Sequence, residues 1–127
     1  MTITKTAREP HIICVVDDDK AVRDALGNLL ESVGLKVEAF ASAEEFVSSS
    51  PVKNRSCMIL DVRLPGMSGL ELQQYLSNKP DNVPIIFITG HANEEARSQA
   101  LNKGAVSFLS KPFSSEDLLS AIHSTFK

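Results

Sequence analysis

Short apolar runs alternate along the chain with stretches whose apolar positions recur every three or four residues. Ile12-Ile13-Cys14-Val15-Val16 is continuous and apolar, the pattern of a strand covered on both faces. Val22, Leu26, Leu29, Leu30 and Val33 then form one helical stripe, stopped by Gly34. Val37 to Phe40 is a shorter, more mixed strand, suited to a sheet edge. Ser42-Ala43-Glu44-Glu45 has capping-box spacing, in which hydroxyl and carboxylate satisfy each other's orphan amides, and it opens a second helix. Cys57-Met58-Ile59-Leu60 predicts the third strand. Ser68-Gly69-Leu70-Glu71 is another box, opening a helix that buries Leu72, Tyr75 and Leu76. Ile85 to Ile88 is the fourth strand, and Asn93 to Lys103 a helix with a weak apolar stripe, stopped by Gly104. Val106 to Leu109 is the fifth strand. Ser114-Ser115-Glu116-Asp117 caps a final helix with Leu118, Leu119, Ile122 and Phe126 inward.

Five strands alternating with five helices predict an α/β fold: a five-stranded parallel sheet, doubly wound by right-handed crossovers. The order that fits is the flavodoxin-like 2-1-3-4-5, which gathers ligands beyond the carboxyl ends of strands one and three. Residues 1–10 read as a flexible N-terminal arm, and residues 11–127 as one folded domain.

Composition narrows the function classes. The chain has 127 residues, 43% hydrophobic and 23% charged, with a net charge of −3, so it offers no basic stripe for direct nucleic-acid binding. Its start lacks the apolar core of a secretion signal, and Ile12–Val16 is its longest apolar run, so no membrane span is expected. Cys14 and Cys57 lie inside apolar runs without metal-type spacing, as reduced core thiols of a cytoplasmic protein do.

Parallel strands all end on one side of the sheet. Asp17-Asp18-Asp19 follows the first strand, Asp61 the third, Thr89-Gly90 the fourth and Ser110-Lys111-Pro112 the fifth. Each has an ordinary reading by itself: a solvated N-cap, a turn residue, a surface charge. Asp19, directly before Lys20, is expected to be such a cap. Together the set reads differently. Asp17, Asp18 and Asp61 in one crevice repel unless a cation offsets them, and hard carboxylates without His or Cys suit Mg2+ (or Mn2+). Thr89 and Lys111 add a hydroxyl and a positive charge, both suited to a phosphoryl group, and an Asp carboxylate can itself accept one. Without Asp17, Asp18, Asp61 and Lys111, 13 acids face 12 bases. Two of the three net negative charges therefore belong to this crevice.

At these residues the sequence resembles the receiver domain of two-component response regulators. The matching segments are Val15-Val16-Asp17-Asp18-Asp19, Asp61-Val62-Arg63-Leu64-Pro65-Gly66-Met67-Ser68-Gly69, Ile88-Thr89-Gly90 and Lys111-Pro112-Phe113, spread in order over residues 11–127. The resemblance implies Asp61 as phosphoacceptor and Asp17, Asp18, Asp61 and the Arg63 backbone carbonyl as metal ligands. It implies Thr89 and Lys111 as phosphoryl-binding residues, Thr89 and Phe108 as the switch, and Arg63 and His91 as tuners of phosphoryl lifetime. Gly66 and Gly69 suit the tight loop beside the acceptor. His91 stands alone and is not read as a metal ligand.

The implied partner is a sensor histidine kinase, and the implied output is a changed surface on the fourth helix, fifth strand and fifth helix. Gly34 to Phe40, Ser42 to Phe46 and Thr89-Gly90-His91 look like the branch linked to LuxR-type helix-turn-helix domains, with a phosphorylation-favoured homodimer. The expectation is a stand-alone regulator, or a receiver whose output DNA-binding domain lies outside this chain.

Such a module assists its own phosphorylation and dephosphorylation but is not an enzyme in the ordinary sense. An aspartyl-phosphate phosphatase is disfavoured because Arg63 stands where those enzymes need a second acid. A nucleotide or flavin binder is disfavoured because no Gly-rich phosphate loop follows the first strand. A never-phosphorylated interaction module is disfavoured by the complete set of acids, Thr and Lys.

Overall fold

The computed structural model describes residues 11–49, 55–79, 83–91 and 93–126; the arm read at residues 1–10 lies outside them. The elements run β1 (Ile12–Val16), α1 (Lys20–Ser32), β2 (Lys36–Phe40), α2 (Ala43–Ser48), β3 (Arg55–Asp61), α3 (Gly69–Leu76), β4 (Ile85–Thr89), α4 (Glu94–Asn102), β5 (Ser107–Ser110) and α5 (Ser115–His123). All neighbouring strands are parallel and the order is β2-β1-β3-β4-β5, as the sequence predicts.

Strand side chains alternate between faces, so each central strand feeds two cores. Cys14, Val16, Met58, Leu60 and Phe87 pack with Ala43 and Phe46 of α2, Leu72 of α3 and Ala100 of α4. Ile13, Val15, Cys57, Ile59, Ile86 and Ile88 pack with Leu26 and Leu30 of α1 and Leu118 and Ile122 of α5. Each large apolar side chain fully buried there contributes about 1.5–3 kcal/mol relative to exposure. The fold therefore rests on these two layers, leaving the carboxyl edge free to hold charged groups. Burial pushes the Cys14 thiol up to about 12 and the Cys57 thiol to about 11, so both are inert.

Helix ends follow the predicted chemistry. Asp19 is the N-cap of α1, its carboxylate accepting from the Ala21 amide. Gly34 (φ +89°) and Gly104 (φ +102°) end α1 and α4 with paired amide bonds back to Glu31 and Leu30, and to Leu101 and Ala100. The Ser68–Glu71 box is reciprocal. The Ser42 box is only half made: Ser42 accepts from the Glu45 amide, but Glu45 Oε1 accepts from Ala41, one residue before the cap.

Three expected core residues are not buried. Tyr75 is 38% exposed, its ring under the Lys79 ammonium at 4.6 Å, because the inward position beside Leu72 is taken by Gln73. Gln73 Nε2 donates to the Ala100 carbonyl, joining α3 to α4. Val33 is the exposed C-cap of α1, and Val106 is exposed just before β5 rather than within it.

Candidate functional site

Asp17 directly follows β1, and Asp61 is the last residue of β3. Because β1 and β3 pair with Val16 opposite Leu60, the two carboxyl ends open side by side. Asp17, Asp18 and Asp61 each present a carboxylate oxygen within 4.8 Å of the others. Asp17 is fully buried and Asp61 nearly so, while Asp18 faces solvent.

Local hydrogen bonds fix the two buried acids. Asp17 Oδ1 accepts from the Asp19 amide at 2.9 Å, and Asp61 Oδ1 from the Arg63 amide at 3.1 Å. Lys111 Nζ closes the crevice at 3.1 Å from Asp17 Oδ2 and 3.5 Å from Asp61 Oδ2. The Lys111 amide donates to the Thr89 carbonyl at 2.7 Å, and the Lys111-Pro112 peptide is cis. The ammonium lies over the ends of β1 and β3.

The electrostatics reflect crowding. Burial first, then the Asp17 charge, pushes Asp61 up to about 6, against the opposing pull of the Arg63 amide and Lys111. Burial would lower Lys111, but its hydrogen bond to Asp17 and the charges of Asp61 and Asp17 prevail and raise it. A group of hard oxygens that one ammonium leaves incompletely neutralised fits a small divalent cation. The donor set contains no soft ligand, and the exposed Asp18 leaves an entry path.

Thr89 ends β4 and is buried. Its hydroxyl donates to the His91 carbonyl and accepts from the His91 amide, both at 3.1 Å. Phe87, two residues earlier on the same face, pairs across the sheet with Phe108, the ring centroids 6.1 Å apart. Thr89 and Phe108 thus share the face covered by α4, with Phe108 only half-buried. Arg63 and His91 are exposed, each two residues beyond a strand-end site residue.

The β3–α3 connection is tight because of two glycines. A Cβ on Gly69 would stand 2.2 Å from the Asp61 carbonyl oxygen, and Gly66 adopts φ +74°. Two contributors carry no signal in the sequence. Arg23 Nη1 reaches back from α1 to the Asp17 carbonyl at 2.8 Å, and Glu44 Oε2 accepts from the Met67 amide at 2.7 Å. Both are ordinary helix-surface residue types, and only the folded chain brings them to the site.

Residues 13–123 match the family model of the response regulator receiver domain. The chain is 45% identical over 119 residues to response regulator protein TmoT of Ectopseudomonas mendocina, covering 94% of this chain and 54% of that protein. It is 50% identical over 111 residues to nodulation protein W of Bradyrhizobium diazoefficiens, covering 87% of this chain and 49% of that protein. The crystal structure of FixJ-N superposes with a TM-score of 0.84 at 36% identity, covering 92% of this chain and 94% of that one. The chain spans about half the length of the curated relatives it matches.

Proposed function

The chain belongs to the response regulator receiver domain family, and on that premise we propose that Asp61 accepts a phosphoryl group from the phosphohistidine of a sensor histidine kinase. The observation that carries this reading is the convergence of Asp17, Asp18, Asp61 and Lys111 on one crevice. In the transfer an Asp61 oxygen forms the new P–O bond. The donor's P–N bond breaks, and its electron pair leaves with the imidazole. Asp17, Asp18, Asp61 and the Arg63 carbonyl are the residues that would hold Mg2+. A bound Mg2+ would offset the carboxylate charge and polarise a phosphate oxygen. Lys111, already at 3.5 Å from Asp61, is suited to pair with the phosphoryl group. Uptake from a small phosphodonor is expected to require Mg2+; uptake that persists in excess chelator would contradict the metal assignment.

The switch reading starts from the hydroxyl of Thr89, which is hydrogen-bonded to the His91 backbone. Turned toward a phosphoryl oxygen, it would free the β4–α4 connection and open space for Phe108. Converting a 1:99 equilibrium to 99:1 needs about 5.5 kcal/mol. A charge pair at 4 Å supplies about 4 kcal/mol at an effective dielectric of 20, so a few new contacts suffice. Thr89→Ala is therefore expected to accept the phosphoryl group yet lose phosphorylation-driven partner binding by about tenfold or more. Unchanged coupling in a binding titration would remove Thr89 from the switch.

Arg63 and His91 flank the route of a water that would attack the aspartyl phosphate. Substituting either is expected to change the autodephosphorylation rate severalfold, read by intact mass after donor removal; wild-type rates in both variants would end that assignment. The relatives' greater length and the branch resemblance support a helix-turn-helix output domain outside this chain and a phosphorylation-favoured homodimer through α4 and β5. No helix among the described residues is long and apolar enough to cross a membrane, and the free, buried Cys14 and Cys57 are compatible with the proposed cytoplasmic location.

A further inference from the structure

The loop from Val62 to Ser68 carries Arg63 past the acceptor; Leu64 anchors it in the core, and most of its hydrogen bonds are to its own flanking elements. Arg63 donates to Asp61, Gly69 donates to the Val62 carbonyl, and Ser68 is closed by Glu71 of α3. Across residues 63–68, one hydrogen bond among the described residues reaches a different part of the chain. Glu44 Oε2, from the first turn of α2, accepts from the Met67 amide at 2.7 Å. A second observation shows how close the carboxylate lies. A Cβ on Gly66 would come within 2.5 Å of the same Glu44 oxygen, and Gly66 holds φ +74°. The loop tip is thus shaped around the carboxylate, with an amide on one side and a bare Cα on the other.

We infer that Glu44 is a positioning residue of the phosphorylation site, a tether from α2 that holds the loop so that Arg63 stays in register with Asp61. This rests on the reading in which the Arg63 carbonyl helps hold Mg2+. Glu44 touches neither the acids nor Lys111, so it acts only through the backbone of residues 63–67. The simpler role for a first-turn acid is to complement the helix dipole. Glu45 stands one residue on and serves that role equally, but it reaches Ala41 and not the loop. The Met67 amide also holds the Glu44 carboxyl below its ordinary value, so the tether is charged and made at neutral pH.

Glu44→Ala, Glu44→Gln and Glu45→Ala in the full chain separate these roles. Glu44 is exposed and outside both cores, so the variants keep the fold. Calorimetric Mg2+ titration is expected to show about tenfold weaker binding for Glu44→Ala, the scale at which groups supporting a metal ligand act. Amide exchange is expected to show lost protection at Met67 in the same variant. Glu44→Gln, which keeps an acceptor oxygen, is expected to restore both, and Glu45→Ala to leave both at wild-type values. Wild-type Mg2+ affinity in Glu44→Ala, or a loss in Glu44→Gln as large as in Glu44→Ala, would overturn the inference. If the wild type binds Mg2+ but takes up no phosphoryl group, the proposed function fails. The Mg2+ comparison still decides the tether.

Discussion

Asp61→Asn is expected to abolish phosphoryl uptake and yet raise the unfolding midpoint of the metal-free protein at pH 8 by several degrees. The two effects have one cause. Asp61 is buried beside Asp17, and these pressures, only partly relieved by Lys111, push its carboxyl up to about 6. A carboxyl raised in the folded state binds its proton more tightly folded than unfolded. Its ionisation therefore costs stability as pH rises from about 4 through about 6, and the full cost remains above that. At pH 8 wild type carries that cost, on the order of 3 kcal/mol, and the neutral amide does not. The gap should narrow by about half at pH 5. Saturating Mg2+ should narrow it too, because it binds and stabilises the folded wild type preferentially. Thermal unfolding of both proteins at pH 5 and pH 8, with Mg2+ or chelator, checks all of this. A less stable Asp61→Asn at pH 8 without metal would mean that the pair with Lys111 outweighs the crowding.

Gly69→Ala is expected to cost about 3 kcal/mol and to weaken Mg2+ binding together with stability. The added methyl would stand 2.2 Å from the Asp61 carbonyl oxygen, with the Asp61 carbonyl carbon and Val62 Cα both at 3.0 Å. These are backbone atoms, so no side chain can turn aside, and relief requires moving the end of β3 or the start of α3. Either shift displaces the acceptor. Gly27→Ala is the matched control. Gly27 lies within α1, and a methyl added there would meet nothing within 4 Å. Alanine at that position is expected to stabilise by about 0.5–1 kcal/mol. Urea unfolding measures both. A Gly69→Ala protein as stable as wild type would show that the β3–α3 connection has slack the geometry does not provide.

What the sequence makes legible follows from which forces are local. Strand and helix alternation needs only apolar periodicity, and 2-1-3-4-5 is the common doubly wound order that five such units fit. Asp17, Asp61, Thr89 and Lys111 can therefore be assigned to one edge from the residues alone. Caps and stops are equally local: Asp19, Gly34 and Gly104 do as their neighbours dictate. The pattern misleads where a third element decides. Tyr75 has the spacing of a core residue, yet buried Gln73 takes that side of α3 to reach the Ala100 carbonyl. Glu45 has the spacing of a capping partner, yet the path of the chain out of β2 brings the Ala41 amide to it first. Arg23 and Glu44 are illegible for the same reason, since each acts on a backbone group far away in sequence or hidden by a turn. The clash behind Gly69 is likewise a distance between backbones, which no residue pattern encodes.

Phosphoryl transfer to Asp61 is decided by intact mass of wild type and Asp61→Asn, each incubated with Mg2+ and a small phosphodonor. The wild type is expected to gain one phosphoryl group, located on the peptide containing Asp61 and lost on incubation at neutral pH after donor removal. Asp61→Asn is expected to gain none. No gain by the wild type, or an equal gain by the variant, would contradict the assignment of Asp61 as phosphoacceptor.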